Sequence, residues 1–297
     1  MDLTVLRYIN RFSVAKGVPA DSTVSYSALA DKLGVDESQM KRVLRNAMTK
    51  GIFAEDQGAV AHATTSRLLL KEGIATWSRY SSDSGWPIAS RFNDAIDKWG
   101  HGAQEPNQTA FNLFKDTTLS MFDYHEQHQG FGADFHNVMQ RFTKTAPMSH
   151  KHVKVAFEWS SLSHAKIVDD LATTRVQATD PATSIVPAHL ADRISFQEHS
   201  FFDPQPVSAD VYFLRMIFHD GADRYAKTIL QNFLVAMRPG ARILIMDYVA
   251  LPFGTLGIVD ERRIRMRDMQ MMVMQNALER DEGEWRNCSW KLTHAWS

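Results

Sequence analysis

The feature that most constrains this chain is a strand, helix, strand run in its last third. ADVYFLRMIF is a β-rich segment ending at Phe218. It is followed by ADRYAKTILQNFLVAM, whose apolar residues recur at helical spacing, then by Arg238-Pro239-Gly240 and a second β-rich run, ARILIMDYV. Proline and glycine stop the helix, and the next strand begins at once. Strand, helix and strand in that order predict a parallel sheet of the doubly wound α/β type. Ligands of such sheets bind outside the carboxyl ends of the strands, so chemistry is sought where these strands stop. AKIVDD and RISFQEHSFF add earlier candidate strands, and the sequence changes character at Phe157. A length of 297 residues fits two domains of ordinary size. The predicted boundaries are 1–155 and 156–297.

The front domain reads differently. In SYSALADKLGVDESQMKRVLRNAMTKGIF, Leu29, Leu33, Val43, Leu44 and Met48 keep a helical spacing that Gly34 interrupts, which predicts two helices joined by a short turn. Gly58 then separates two short apolar runs, the pattern of a small hairpin leading into another helix. Helix-turn-helix plus hairpin is a winged-helix arrangement. From about Thr76 to Val155 the chain is predicted helical, with EPNQTAF marking a break before a further helix.

Charge narrows the function classes. With 33 basic and 34 acidic residues the formal net charge is −1, so no long-range field favours nucleic acid or an anionic membrane. The second helix of the winged-helix pattern offers only Lys41, Arg42, Arg45 and Lys50, and neither a nucleic-acid nor a membrane partner is expected. A small molecule fits better. Cys288, the single cysteine, excludes an intrachain disulfide. The opening MDLTVLRYINRFSVAKG lacks the apolar segment of a signal peptide, and a cytoplasmic setting is expected. His125 and His128, like His150 and His152, lack the i, i+4 spacing of a zinc site, and no metal is expected. The stretch from Ile264 to Met274 carries Met266, Met269, Met271, Met272 and Met274; it suits an adaptable apolar pocket, or equally a core or dimer interface.

Several segments in order, SYSALADKLGVDESQMKRVLRNAMTKGIF, HATTSRLL, EPNQTAF, FEWSSL, FLRMIFHD and AMRPGARILIMDYV, resemble the fungal branch of the plant-type S-adenosylmethionine-dependent O-methyltransferases. The resemblance implies a winged-helix-like, all-α dimerisation domain followed by a Rossmann-like methyltransferase domain. It also implies a homodimer. It assigns the catalytic histidine to His219, in the HD motif at a strand end, where a histidine is suited to proton transfer; the alternative is a histidine that only caps the next helix. It assigns the acidic residues that orient this histidine to Glu261 and Glu279, which are otherwise ordinary exposed glutamates. It assigns the substrate pocket to Arg215, Asp220, Met266, Met269 and Met272.

The chain departs from the family around the cofactor. AKIVDD runs through Leu171-Ala172-Thr173-Thr174 to RVQATD, and no glycine lies between Gly132 and Gly221. Glycines are needed there because the backbone must approach the cofactor with positive φ, ahead of a helix N-terminus. Four residues between Asp170 and Arg175 are also too few to join two neighbouring parallel strands, which need about a dozen. Ser200 stands where the family contacts adenine through an acid, Gly221 replaces a tryptophan, and Asp180 is left as the match to the ribose-binding acid. The domain end at WRNCSWKLTHAWS implies a truncated sheet. No cofactor is therefore expected. The expected function is an O-methyltransferase-like enzyme of secondary metabolism that performs an isomerisation, dehydration or cyclisation of an aromatic or polyketide-like molecule. The alternatives are an active methyltransferase binding S-adenosylmethionine through a rebuilt loop, and a non-catalytic dimerisation partner of an intact homologue.

Overall fold

A computed structural model describes residues 2–142, 152, 155, 167–170 and 199–293. The chain divides into two compact units, Met1–Asp94 with Ala110–Phe157 and Ala95–Thr109 with Glu158–Ser297.

In the first unit, α1 (Asp2–Arg11) and α2 (Val14–Gly17) lead to a short β1 (Val24–Ser25), α3 (Tyr26–Leu33) and α4 (Glu37–Met48). The turn between the last two is written in the sequence. Ser25 accepts the Ala28 N–H at the start of α3, and Asp36 accepts the Gln39 N–H at the start of α4; each satisfies a donor the helix cannot. Gly34 ends α3 at φ 65°, a left-handed geometry that costs glycine little. β2 (Phe53–Asp56) and β3 (Ala59–His62) then pair antiparallel, with β1 on the other side of β3. Gln57 and Gly58 turn the hairpin, both at positive φ, the combination a tight two-residue connection requires. The helix-turn-helix and hairpin of the sequence are thus both formed. The unit is not all-α, because these strands make a small sheet.

Leu29, Met40, Leu44, Phe53 and Val60, almost fully buried, make the core of this module. Each such side chain contributes about 1.5–3 kcal/mol on leaving water. α5 (Thr64–Leu68), α6 (Glu72–Tyr80), a π-helical turn (Ser81–Gly85), α7 (Trp86–Ala89) and α8 (Phe92–Trp99) follow. The division between units falls within α8. After the break at EPNQT, α9 (Ala110–Lys115), α10 (Met121–Gln127) and α11 (Gln129–Phe142) return to the first unit. Their interior is aromatic: Phe111, His125, Phe131 and Phe135 lie ring against ring, and Tyr80 reaches Phe131 and Phe135.

The second unit holds the sheet. β4 (Ile167–Asp170), β5 (Val211–Arg215) and β6 (Arg242–Met246) lie in the order β4-β5-β6, parallel throughout. β5 is central and every one of its residues is buried, which is why VYFLR reads as an unbroken apolar run up to its last residue. α12 (Asp223–Leu234) makes the crossover from β5 to β6. Its buried face, Ala226, Ile229, Leu230 and Phe233, packs with Tyr212, Leu214, Phe218 and Cys288. The Tyr212 hydroxyl, though buried, shares its one hydrogen between the Val207 and Ala236 carbonyls and accepts the Ala209 N–H. α13 (Ile258–Gln275) and α14 (Glu282–Thr293) complete the described elements. AKIVDD supplies β4, whereas RVQATD, with Asp180, lies outside the described residues. RISFQEHSFF is described only from His199 onward, as loop and turn. Among the described residues no helix is long and apolar enough to cross a membrane.

Candidate active site

The carboxyl end of β5 leads straight into the site. Met216 takes a positive φ of 56°, a strained conformation for a side chain of this size. Its N–H still bonds the Met246 carbonyl at 3.1 Å. The chain then forms a short 3₁₀ turn, Phe218–Asp220, that presents His219. The next helix is capped at Ala222 with no side-chain bond, so His219 is not its cap.

Three carboxyl groups surround the imidazole. His219 Nδ1 lies 3.1 Å from Glu279 Oε1, and Nε2 lies 3.6 Å from Asp220 Oδ1. Asp247, the first residue after β6, accepts the Phe218 N–H through Oδ2 at 3.0 Å and adds its field. Only 12 % of the His219 side chain is exposed. Burial opposes its protonation, but Asp220, the bond to Glu279 and the charge of Asp247 outweigh that and raise its pKa to about 9. The imidazole is therefore held as a cation near neutrality, with Nδ1–H on Glu279 and Nε2–H facing Asp220 at 3.6 Å. The acids respond to the same enclosure. Burial pushes the Asp220 carboxyl up, against the pull of His219 and of the bond donated by Gln275 Nε2 at 3.0 Å. Burial pushes Asp247 up as well.

Glu279 reaches the turn because α13 ends abruptly. Asn276 closes it in the left-handed conformation at φ 52°, and its side-chain amide donates to the Glu105 and Gln108 carbonyls. The Glu279 N–H bonds Asp268 Oδ1 at 3.0 Å, and Arg267 Nε lies 3.8 Å from Glu279 Oε1. The Glu279 side chain has no exposure at all, so it is no ordinary surface glutamate.

His219, Asp220 and Glu279 are thus brought together. Glu261 is not. It occupies the first turn of α13 and pairs one helical turn on with Arg265 Nε at 2.8 Å; i, i+4 geometry keeps that carboxylate on its own helix. Sequence reasoning missed Asp247, the third carboxyl group whose charge acts on the imidazole. Arg215 is buried at the end of β5. Met266 and Met269 are 65 % and 46 % exposed, and Met272 is half-buried. Gln275 and Arg280 also went unmarked in the sequence. Among the described residues no group of three His, Cys, Asp or Glu side chains is arranged to hold a metal ion.

A parallel sheet with an acid-flanked histidine just past the carboxyl end of β5 defines a Rossmann-like α/β unit with a candidate site at the end of that strand. A family model describing an O-methyltransferase domain matches residues 165–291. The chain is 34 % identical to the O-methyltransferase VdtC of Byssochlamys spectabilis, over 96 % of this chain and 72 % of that protein. The chain belongs to the O-methyltransferase family. Among solved structures, OxaC in complex with sinefungin and meleagrin matches with a TM-score of 0.77 at 21 % identity, over 96 % of this chain and 78 % of its own. LepI in complex with SAM matches at 0.70 and 21 %, over 98 % of this chain and 80 % of its own. At those identities the likeness is one of fold.

Proposed function

We propose that this chain is an O-methyltransferase-fold enzyme of fungal secondary metabolism that has lost methyl transfer. In this reading it isomerises, dehydrates or cyclises an aromatic or polyketide-like small molecule, with His219 as the proton-transfer group. The observation that carries the reading is the enclosed imidazole: Glu279 fixes Nδ1 at 3.1 Å, and the neighbouring acids keep the ring protonated up to about pH 9. A resident acid of that kind suits protonation of a carbonyl or a departing hydroxyl. In a dehydration the Nε2 proton goes to the hydroxyl, water leaves, and the neutral imidazole takes the proton released from the adjacent carbon. Protons and electrons balance, and no co-reactant is needed. Glu279 stabilises the ring cation and holds its tautomer.

The fold family implies S-adenosylmethionine, whose cradle follows the strand equivalent to β4. The residues next in sequence, Leu171-Ala172-Thr173-Thr174, include no glycine, and none occurs before Gly221. Every position there carries a Cβ, which does not fit a backbone that must close on a ligand at positive φ. Ser200, exposed, offers no carboxylate to an adenine. These features support loss of the cofactor. A second reading is favoured by the relatives. VdtC is an O-methyltransferase, and LepI is solved in complex with SAM. Under it, this chain binds S-adenosylmethionine through a rebuilt loop and transfers its methyl group.

Titration calorimetry with S-adenosylmethionine separates the two. A dissociation constant weaker than about 50 μM, roughly −6 kcal/mol, is expected, and tighter binding puts the methyltransferase reading first. With a substrate in hand, His219→Ala is expected to lower turnover about a hundredfold or more. Full activity in that variant ends the proposal.

A further inference from the structure

We infer that Arg280 is a positioning residue for His219, clamping from behind the turn that presents the imidazole; the inference rests on His219 being the proton-transfer group. The guanidinium is fully buried and donates in three directions. Nε bonds Asp223 Oδ1 at 2.9 Å, Nη1 bonds the Phe218 carbonyl at 2.7 Å, and Nη2 bonds the Gly221 carbonyl at 2.9 Å. Those two carbonyls stand on either side of His219-Asp220. A planar fork that binds both fixes their separation and orientation together, which a flexible ammonium cannot do.

The clamp is itself held. The Arg280 carbonyl accepts the Ala250 N–H at 2.8 Å, tying it to the segment after β6. Its guanidinium lies 5.4 Å from the Trp285 ring, whose indole N–H bonds the Tyr248 carbonyl at 3.2 Å. The preceding residue, Glu279, takes the imidazole. One dipeptide therefore grips the ring of His219 and the backbone around it. Within itself the turn is weakly bonded: three residues of 3₁₀ geometry, a long Gly221 N–H bond to the Phe218 carbonyl at 3.4 Å, and the strained Met216 just upstream; its other ties are side-chain bonds to Asp247 and Gln275. Short 3₁₀ turns are weakly bonded within themselves.

The protonation of His219 reports this geometry directly. Asp220, Glu279 and Asp247 raise its pKa, and Arg280 is not among the groups that set it. A change in the titration when Arg280 is replaced therefore measures displacement of the ring. The experiment is an NMR titration of the imidazole nitrogens in the full chain. Arg280→Lys keeps the charge and loses the fork; its His219 midpoint is expected to fall by about one pH unit or more, with the proton less confined to Nδ1 and His125 unmoved. Asp223→Ala removes one of the three acceptors from a side chain that is 44 % exposed, and a smaller shift in the same direction is expected. An unchanged midpoint and tautomer in Arg280→Lys overturn the inference. If that variant does not fold, an unchanged midpoint in Asp223→Ala overturns it. A shifted titration in Arg280→Lys together with full turnover in His219→Ala would remove the catalytic reading and leave the clamp standing.

Discussion

The imidazole of His125, in the helical unit, and that of His219, in the sheet unit, are both withdrawn from water, and they fall on opposite sides of neutrality. His125 is packed among Phe111, Phe131 and Phe135, its ring 4.5 Å from that of Phe135. Burial, helped by the charge of Lys115, lowers its pKa to about 4, and neither ring nitrogen has a hydrogen-bond partner among the described residues. His219 suffers the same desolvation, but three carboxyl groups reverse it to about 9. Enclosure alone produces an inert neutral ring. Enclosure with placed carboxylates produces a stored proton, and only the second arrangement is chemistry at neutral pH.

The largest effect is expected from removing the acid that fixes His219. Glu279→Gln keeps the shape and an acceptor for Nδ1–H but loses the charge, so the His219 midpoint falls by about one unit or more. An unmoved midpoint would transfer the role of Glu279 to Asp220 and Asp247. The pH dependence of stability gives a second test, with opposite signs in the two units. His219, raised in the folded state, adds stability that is complete below about pH 6.5 and is lost as pH rises through about 9. His125, lowered, is neutral in both states above about pH 6.5, and destabilises its unit as pH falls from there through about 4. Hydrogen exchange, corrected for intrinsic rates, should show β5 losing protection on the alkaline side and α9 to α11 on the acid side. Loss in both units on one side only would break the comparison.

How much of this was legible depended on whether it was local. The strand, helix, strand run fixed β5, α12 and β6 because periodicity and the Pro239-Gly240 stop act within a few residues. The same holds for the capped turn between α3 and α4. His219 was legible from its place at a strand end, and Glu279 came from the resemblance. Asp247 was not found, because its nearness depends on the pairing of Arg215 with Met246 across the sheet, which no single segment encodes. A signal was present, since Asp247 directly follows the strand that pairs with β5, at the level of Met216, which stands only three residues before His219. Glu261 failed for the complementary reason: a helix offered it Arg265 four residues away. Arg280 was passed over because arginine is seldom buried without a partner, and its partners are mostly backbone carbonyls.

A tighter test of the aromatic side comes from Gly132. A Cβ there would lie 2.6 Å from the His125 carbonyl oxygen, a backbone atom that cannot step aside. Glycine in a helix ordinarily costs about 1 kcal/mol relative to alanine. Here Gly132→Ala is expected to destabilise, by about 1–3 kcal/mol, because α11 must move off the end of α10. A gain in denaturant midpoint would show that the two helices pack less closely than described.

The smallest expected effect is the most telling about His125 itself. If the ring is there only as volume, its two unpartnered nitrogens are a standing cost, since a buried polar group without a partner loses about 1–3 kcal/mol of hydration. Leucine fills part of the same space with no polar atom, at some loss of contact with Phe131 and Phe135. His125→Leu should therefore raise stability at pH 7 by about 1 kcal/mol, and the acid-side loss of protection in α9 to α11 should diminish with it, because the buried imidazole that takes up a proton on unfolding would be gone. His219 should titrate as before. A loss of stability instead would mean that the nitrogens have a partner, such as an enclosed water, and that the neutral ring is held in place as deliberately as the charged one.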